Sequence, residues 1–310
     1  MKAVRRSRAG IHVAEIEPPG EPKPGHIAIA VHAASISKAD YTKKPARGGS
    51  IAGSDAAGIV KAVGAGVDHI KIGDRVCAAT EGLEGGLAET AIAPAKWTAL
   101  IPESMDFAQA AALPSAGVTA LAAIQKAPKS EGARVLVCGA SGGVGQYATA
   151  FAKASRAEVI AACSERNKDV ALAAGADQFV DYAPGLSALA SRSIDAILAI
   201  NGSFPAREYN RILKPGGTLV LVGADSLRPG ALALPFNGKH LKAGLFFSII
   251  GKGGLQQAVE LVSRCGFVPA MDIAHGFDAA AEALKALDHT HPRGKIVAIL
   301  EDEPKNVGAQ

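Results

Sequence analysis

The sequence predicts an α/β protein in two parts: a mainly β region over residues 1 to about 100, then a parallel sheet covered by helices on both faces. Three observations carry this expectation. After Gly132, short apolar runs alternate with helical stretches, the pattern of strands buried on both faces with their crossover helices. Over residues 53–78, β-branched runs are broken by Gly58, Gly64, Gly66 and Gly73, as in a small sheet that turns sharply. The 310 residues are 48% hydrophobic but only 5% aromatic, so the cores pack through Ala, Val, Leu and Ile.

In chain order, the proline-rich turn EPPGEPKPG (17–25) precedes a strand over 26–35 with Ile27, Ile29 and Val31 on one face. The pattern becomes helical from Phe107, with Pro114 interrupting it, and resumes at Val118 to Lys126. Strands are then expected at 133–138, 157–163, 177–180, 194–200 and 217–223, and helices near 143–155, 167–174, 185–191 and 204–213. The stretch PGALALPFNGKHLKAGLFFSII is strand-like but irregular. Helices follow at 255–264, with Leu255, Val259 and Val262 on one face, and at 277–287, with Ala280, Leu284 and Leu287. A last strand at 295–300 precedes a polar tail, and its pattern is compatible either with extending the parallel sheet or with returning to the first region.

The charge balance excludes several classes of function. Lys and Arg number 33 against 29 acids, and the charges are scattered, so nucleic-acid binding is not implied, while a local basic pocket for a phosphorylated ligand is compatible. MKAVRRSRAG is followed by no apolar segment of the secretory type, and no run reaches the roughly eighteen apolar residues of a membrane span. Cys77, Cys138, Cys163 and Cys265 form no disulfide framework, which fits a reducing compartment and a cytoplasmic location.

The chemical signal lies at Gly139, Ala140, Ser141, Gly142, Gly143, Val144 and Gly145, between an apolar strand and a helix. Gly139, Gly142 and Gly145 are separated by two residues each, whereas the commonest dinucleotide fingerprint has one residue in the first gap. The glycines serve the same physical ends: a tight turn, backbone approach to a pyrophosphate, and close packing of helix on strand. Free N–H groups of the first helical turn then face the phosphate oxygens. About twenty residues on, where an NAD site presents Asp or Glu, stands Ser164, followed by Glu165 and Arg166. A hydroxyl and a guanidinium suit a 2′-phosphate, which points to NADP(H); Glu165 turned inward would instead favour NAD(H) or dual use.

Taken together, GSDAAGIVKAVGAGVDHIKIGDRV (53–76), GGLAET (85–90), LPSAGVTAL (113–121), VLVCGASGGVGQYATAFAKA (135–154), GADQFVDY (175–182), LKPGGTLVLVG (213–223) and RGKIV (293–297) resemble the medium-chain dehydrogenase/reductase superfamily, in its zinc-free, zeta-crystallin-like quinone oxidoreductase and enone reductase branch. The resemblance implies a Rossmann nucleotide-binding domain over 109–244 and a discontinuous, mainly β, GroES-like catalytic domain from 1–108 and 245–310. It implies a homodimer formed through HLKAGLFF (240–247) at a sheet edge. It also implies that Thr119 lies near the nicotinamide ribose, Tyr182 near the adenosine, Asn201 and Gly223 at carboxyl strand ends, Phe247 beside the nicotinamide, and Lys295 close to the cofactor.

Zinc enzymes of this superfamily carry a Cys in the segment here written SISKAD, a His–Glu pair where this chain has Ser54 and Asp55, and a further Cys near the Pro114 segment. None of these ligands is matched, so no metal is expected, and His289 and His291 read as a surface turn. In SISKADYTKK the family pattern has Asn at Ser37, Asp at Asp40 and often Tyr at Thr42; Ser37, Asp40 and the adjacent Tyr41 are the candidates for side-chain help in catalysis. The expected activity is NADPH-dependent hydride transfer to a quinone or to the β-carbon of an α,β-unsaturated carbonyl, without zinc. A non-catalytic NADP(H)-binding regulatory or structural protein is the alternative.

Overall fold

The computed structural model describes all residues except 43–45, 47, 129, 201–203, 224–239, 245–249, 288, 290, 291 and 302–310. In chain order it contains β1 (Lys2–Ser7), β2 (Gly10–Glu15), β3 (His26–Ile36), α1 (Lys38–Thr42), β4 (Ser50–Ile51), β5 (Asp55–Val63), β6 (Arg75–Ala79), β7 (Thr90–Pro94) and β8 (Thr98–Leu100). Next come α2 (Phe107–Ala112), α3 (Pro114–Ile124), β9 (Arg134–Cys138), α4 (Gly143–Ala154), β10 (Glu158–Cys163), α5 (Lys168–Ala173), β11 (Gln178–Asp181) and β12 (Ile194–Ile200). The chain ends with α6 (Ala206–Ile212), β13 (Leu213–Val222), β14 (His240–Gly244), α7 (Gly254–Cys265), β15 (Met271–His275), α8 (Gly276–Ala286) and β16 (Lys295–Ile299). It divides into two compact units, residues 1–115 with 271–310, and residues 116–270.

The first unit is mainly β. One sheet runs β15-β16-β3-β5-β6-β8, with β7 also paired to β3, and a smaller one runs β2-β1-β4. Because β16 lies antiparallel to β3, with Ile296 opposite Ile36, the C-terminal strand belongs to this unit rather than to the parallel sheet. Helix α8 buries Ala280, Ala281 and Leu284 in a core with Val4, Val31, Ala34, Leu87 and Ile296. In the β1–β2 hairpin Arg6 is buried, donating to Ser50 Oγ at 3.0 Å and paired with Glu84 at 2.6 Å.

The second unit is a parallel sheet in the order β11-β10-β9-β12-β13-β14, flanked by helices. The order reverses between β9 and β12, a topological switch point. Helix α7 packs on α4 within this unit. No helix among the described residues is long and apolar enough to cross a membrane.

Two expectations change. Pro114 does mark the break in the helical stretch, between α2 and α3, but the second helix starts at Pro114 itself rather than at Val118, the missing N–H being harmless at a first helical position. Residues 185–191 do not form a helix. Leu186 and Leu189 are buried at a helix-like spacing, but Gly185 has φ +82°, and Glu208 and Arg211 take the backbone groups a helix would use. Leu186 N–H donates to Glu208 Oε2 at 2.9 Å, and Arg211 donates to Leu186 O at 2.6 Å and Leu189 O at 2.8 Å.

Candidate functional site

In the second unit, β9 ends at Cys138 and the chain turns at Gly139, whose φ of +78° favours glycine and whose N–H donates to Ala162 O at 2.8 Å. Gly142 caps α4 and donates to Gly139 O at 3.1 Å. A Cβ at Gly145 would collide with Gly139 O and stand 2.8 Å from Ala140 Cα, so this glycine brings the helix against the strand. The first bond from the helix proper to its cap is donated by Gln146 to Gly142 O, which leaves the N–H groups of Gly143 and Val144 at the exposed start of the macrodipole. Ser141 is buried within the turn.

The neighbouring strand end supplies the polar wall. Half-buried Ser164 follows β10, and exposed Glu165 and Arg166 lie in one turn of 3-10 helix. Glu165 Oε1 is 3.5 Å from Lys168 Nζ, which draws it toward a cation, and Arg166 is exposed. Tyr182 N–H donates to Cys163 O at 3.1 Å, placing the exposed Tyr182 beside the end of β10. Gly223, with φ +94°, ends β13, and half-buried Thr119 lies on α3. Gly139 to Val144, Ser164, Arg166, Tyr182 and Gly223 thus gather at the carboxyl ends of one parallel sheet. Asn201 and Phe247 fall outside the described residues.

In the first unit, Ser37 and Asp40 bond to each other. Asp40 Oδ2 accepts from Ser37 N at 2.8 Å and Ser37 Oγ at 2.6 Å, and Oδ1 accepts from Gly53 N at 3.0 Å. This carboxylate reaches back to the residue before α1, half of a capping box, and ties α1 to the entry of β5. Burial holds the Asp40 carboxyl above its ordinary range, opposed by the Ser37 bonds. Tyr41 packs against the core beneath α8.

Sequence reasoning missed what surrounds Asp55. It is fully buried and accepts from Ser35 Oγ at 2.9 Å, Ser115 N at 3.2 Å and Ser115 Oγ at 2.5 Å. Lys295 Nζ donates to Ser35 Oγ at 3.0 Å and lies 3.8 Å from Asp55 Oδ2. One signal was available: an acid opening the apolar run DAAGIV must be paired if it is buried.

Zinc does not fit these residues. Among the described residues, no three His, Cys, Asp or Glu side chains come together as metal ligands. Neutral serine hydroxyls and an ammonium surround Asp55 where a dication would need thiolates or imidazoles. Burial pushes the Cys77 thiol up and the Cys138 thiol up to about 12, which opposes thiolate formation at either.

Comparison with known proteins gives a consistent placement. Residues 23–103 match the alcohol dehydrogenase GroES-like domain and residues 174–298 match the zinc-binding dehydrogenase family. A chloroplast envelope quinone oxidoreductase homolog of Arabidopsis thaliana is 32% identical over 93% of this chain and 94% of that protein. The quinone oxidoreductase of Coxiella burnetii superposes with a TM-score of 0.83 at 27% identity, covering 97% of this chain and 99% of that one. A mycobacterial protein solved in complex with NADPH has a TM-score of 0.81 at 25% identity, over 96% of this chain and all of the other. The strand order, the glycine turn and this full-length similarity place the chain in the quinone oxidoreductase branch of the medium-chain dehydrogenase/reductase superfamily.

Proposed function

We propose that this oxidoreductase uses NADPH to reduce a quinone, or the β-carbon of an α,β-unsaturated carbonyl, without zinc. The observation that carries the acceptor reading is the donor set of Asp55: serine hydroxyls, a backbone N–H and an ammonium in place of metal ligands. Without a Lewis acid, a localised alkoxide lacks a partner, whereas a conjugated acceptor spreads the charge it gains.

The residues have the following roles. The N–H groups of Gly143 and Val144 hold the pyrophosphate, with Gly139, Ser141 and Gly142 shaping the turn. Ser164 and Arg166 bind the 2′-phosphate, a role supported by the pairing of Glu165 with Lys168. Tyr182 contacts the adenosine, Gly223 lets the backbone approach, and Thr119 orients the nicotinamide ribose; Asn201 and Phe247 complete the cofactor contacts. When bound, the nicotinamide supplies a hydride. Ser37 and Asp40 organise the α1 turn, since their polar atoms bond to each other, and Tyr41 packs on the core. The proton therefore comes from solvent. Parallel strand β14, at the edge of its sheet among the described residues with Leu241 exposed, is the dimer contact.

NADPH deuterated at the transferred C4 position tests this reading. NMR of the product should find label at the β-carbon of a reduced enone, solvent hydrogen at the α-carbon, and poor reduction of saturated ketones. Label at a carbonyl carbon, with efficient alcohol oxidation, would overturn it. NADPH binding with no turnover on a quinone and enone panel would assign a regulatory or structural protein instead.

A further inference from the structure

Five residues of the first unit, Ser35, Asp40, Asp55, Ser115 and Lys295, form a cluster around two buried carboxylates. Asp40 from α1 is 2% exposed, Asp55 at the start of β5 is 0% exposed, and Lys295 at the start of β16 is 6% exposed. Ser35 of β3 bridges Lys295 to Asp55, and Ser115 in the first turn of α3 binds Asp55 through both N–H and hydroxyl. The two carboxylates sense each other: after burial and the Ser37 hydrogen bonds, the charge of Asp55 pushes the Asp40 carboxyl up and Lys295 draws it down. Arg6 of β1 also reaches the cluster, donating to the backbone carbonyl of Asp40 at 2.6 Å, but its side chain is paired with Glu84. The neutral donors satisfy lone pairs without cancelling charge, and an uncompensated buried charge is strongly destabilising.

We infer that Lys295 is the resident counter-cation of the Asp40–Asp55 cluster, a positioning residue whose ammonium supplies the positive charge that a metal ion would bring to buried carboxylates. It thereby holds the first turn of α1, the entry of β5 and the first turn of α3 in one electrostatic unit. The inference concerns the ligand-free protein and holds whichever acceptor is reduced. It accounts for a cluster with no metal donor set that nonetheless keeps two acids out of water.

The test compares K295M, D55N and D55N/K295M, each without cofactor, by thermal unfolding and amide hydrogen exchange. K295M leaves two buried carboxylates without a cation and should lower Tm by roughly 5–10 °C, whereas D55N leaves one carboxylate beside one ammonium and should lower it less. The double variant, which removes one charge of each sign, should regain at least half of the loss seen in K295M. Exchange at the Gly53 amide should quicken in K295M, because that N–H bonds to Asp40, a group Lys295 reaches only through charge. If the double variant loses the sum of the singles, or if K295M weakens NADPH binding with Tm and Gly53 exchange unchanged, the inference is overturned. Should K295M yield no folded protein, a folded D55N/K295M supports it, and an unfolded double variant beside a folded D55N overturns it.

Discussion

The glycine turn after β9 and the Asp40–Asp55 cluster are built by opposite means. The turn is local: its geometry is set by glycines within seven residues, Gly139 to Gly145. The cluster is non-local: its key contact joins Ser35 to Lys295 across 260 positions of sequence. A backbone site tolerates side-chain change but not an added Cβ. A side-chain site tolerates backbone breathing but not the loss of one charge.

The sharpest way to break this contrast is Gly145→Ala. The new methyl meets Gly139 O and Ala140 Cα, backbone atoms that cannot rotate away, so a loss of about 3 kcal/mol in stability is expected, with NADPH binding impaired. Denaturant unfolding and fluorescence titration would read both; a variant with wild-type stability would show that the turn has slack.

A smaller effect is expected where the second unit uses side chains. Replacing exposed Arg166 by Ala should weaken NADPH by about 1.5–3 kcal/mol and NADH far less, because one charge-assisted contact is lost while the glycine turn is untouched. Equal losses for both cofactors, in parallel titrations, would remove Arg166 from the phosphate site. Glu165→Ala should leave NADPH binding equal or better.

The smallest effect probes an ion pair away from both regions. Lys153 Nζ and Asp177 Oδ1 lie 2.5 Å apart, and the hydrogen bond from Lys153 holds the Asp177 carboxyl below its ordinary value. A depressed folded-state pKa contributes stability that is present above the ordinary carboxylate range, near pH 4, and lost as pH falls through the folded value. This half-exposed pair is screened by solvent, so Asp177→Asn should cost only about 0.5 kcal/mol at neutral pH and shrink the difference in acid. Stability curves at pH 7 and pH 3 would show it; an undiminished gap at pH 3 would mean that the lost contact is not ionic.

Where periodicity and chemistry agree, the elements were legible. The runs at 135–138 and 196–200 are unbroken apolar stretches, and α4 follows its glycines directly. Misreadings arose where side chains far along the chain decide backbone geometry. Leu186 and Leu189 have helical spacing, but Glu208 and Arg211 claim their backbone groups. The sequence singled out Ser37, Asp40 and Tyr41 as candidates for side-chain help, while the bonds between Ser37 and Asp40 and the packing of Tyr41 against the core are read only from the tertiary structure.

By itself the sequence determined the α/β class and the glycine turn, because each depends on residue type at short spacing, where sterics and hydrogen-bonding capacity act directly. Only the tertiary structure decided that Glu165 is drawn to Lys168 and that Asp55 is enclosed by Ser35, Ser115 and Lys295. Those outcomes depend on which groups share a low-dielectric interior. Burial makes pairing obligatory for a charge, but the partner is whichever group the packed elements bring within reach.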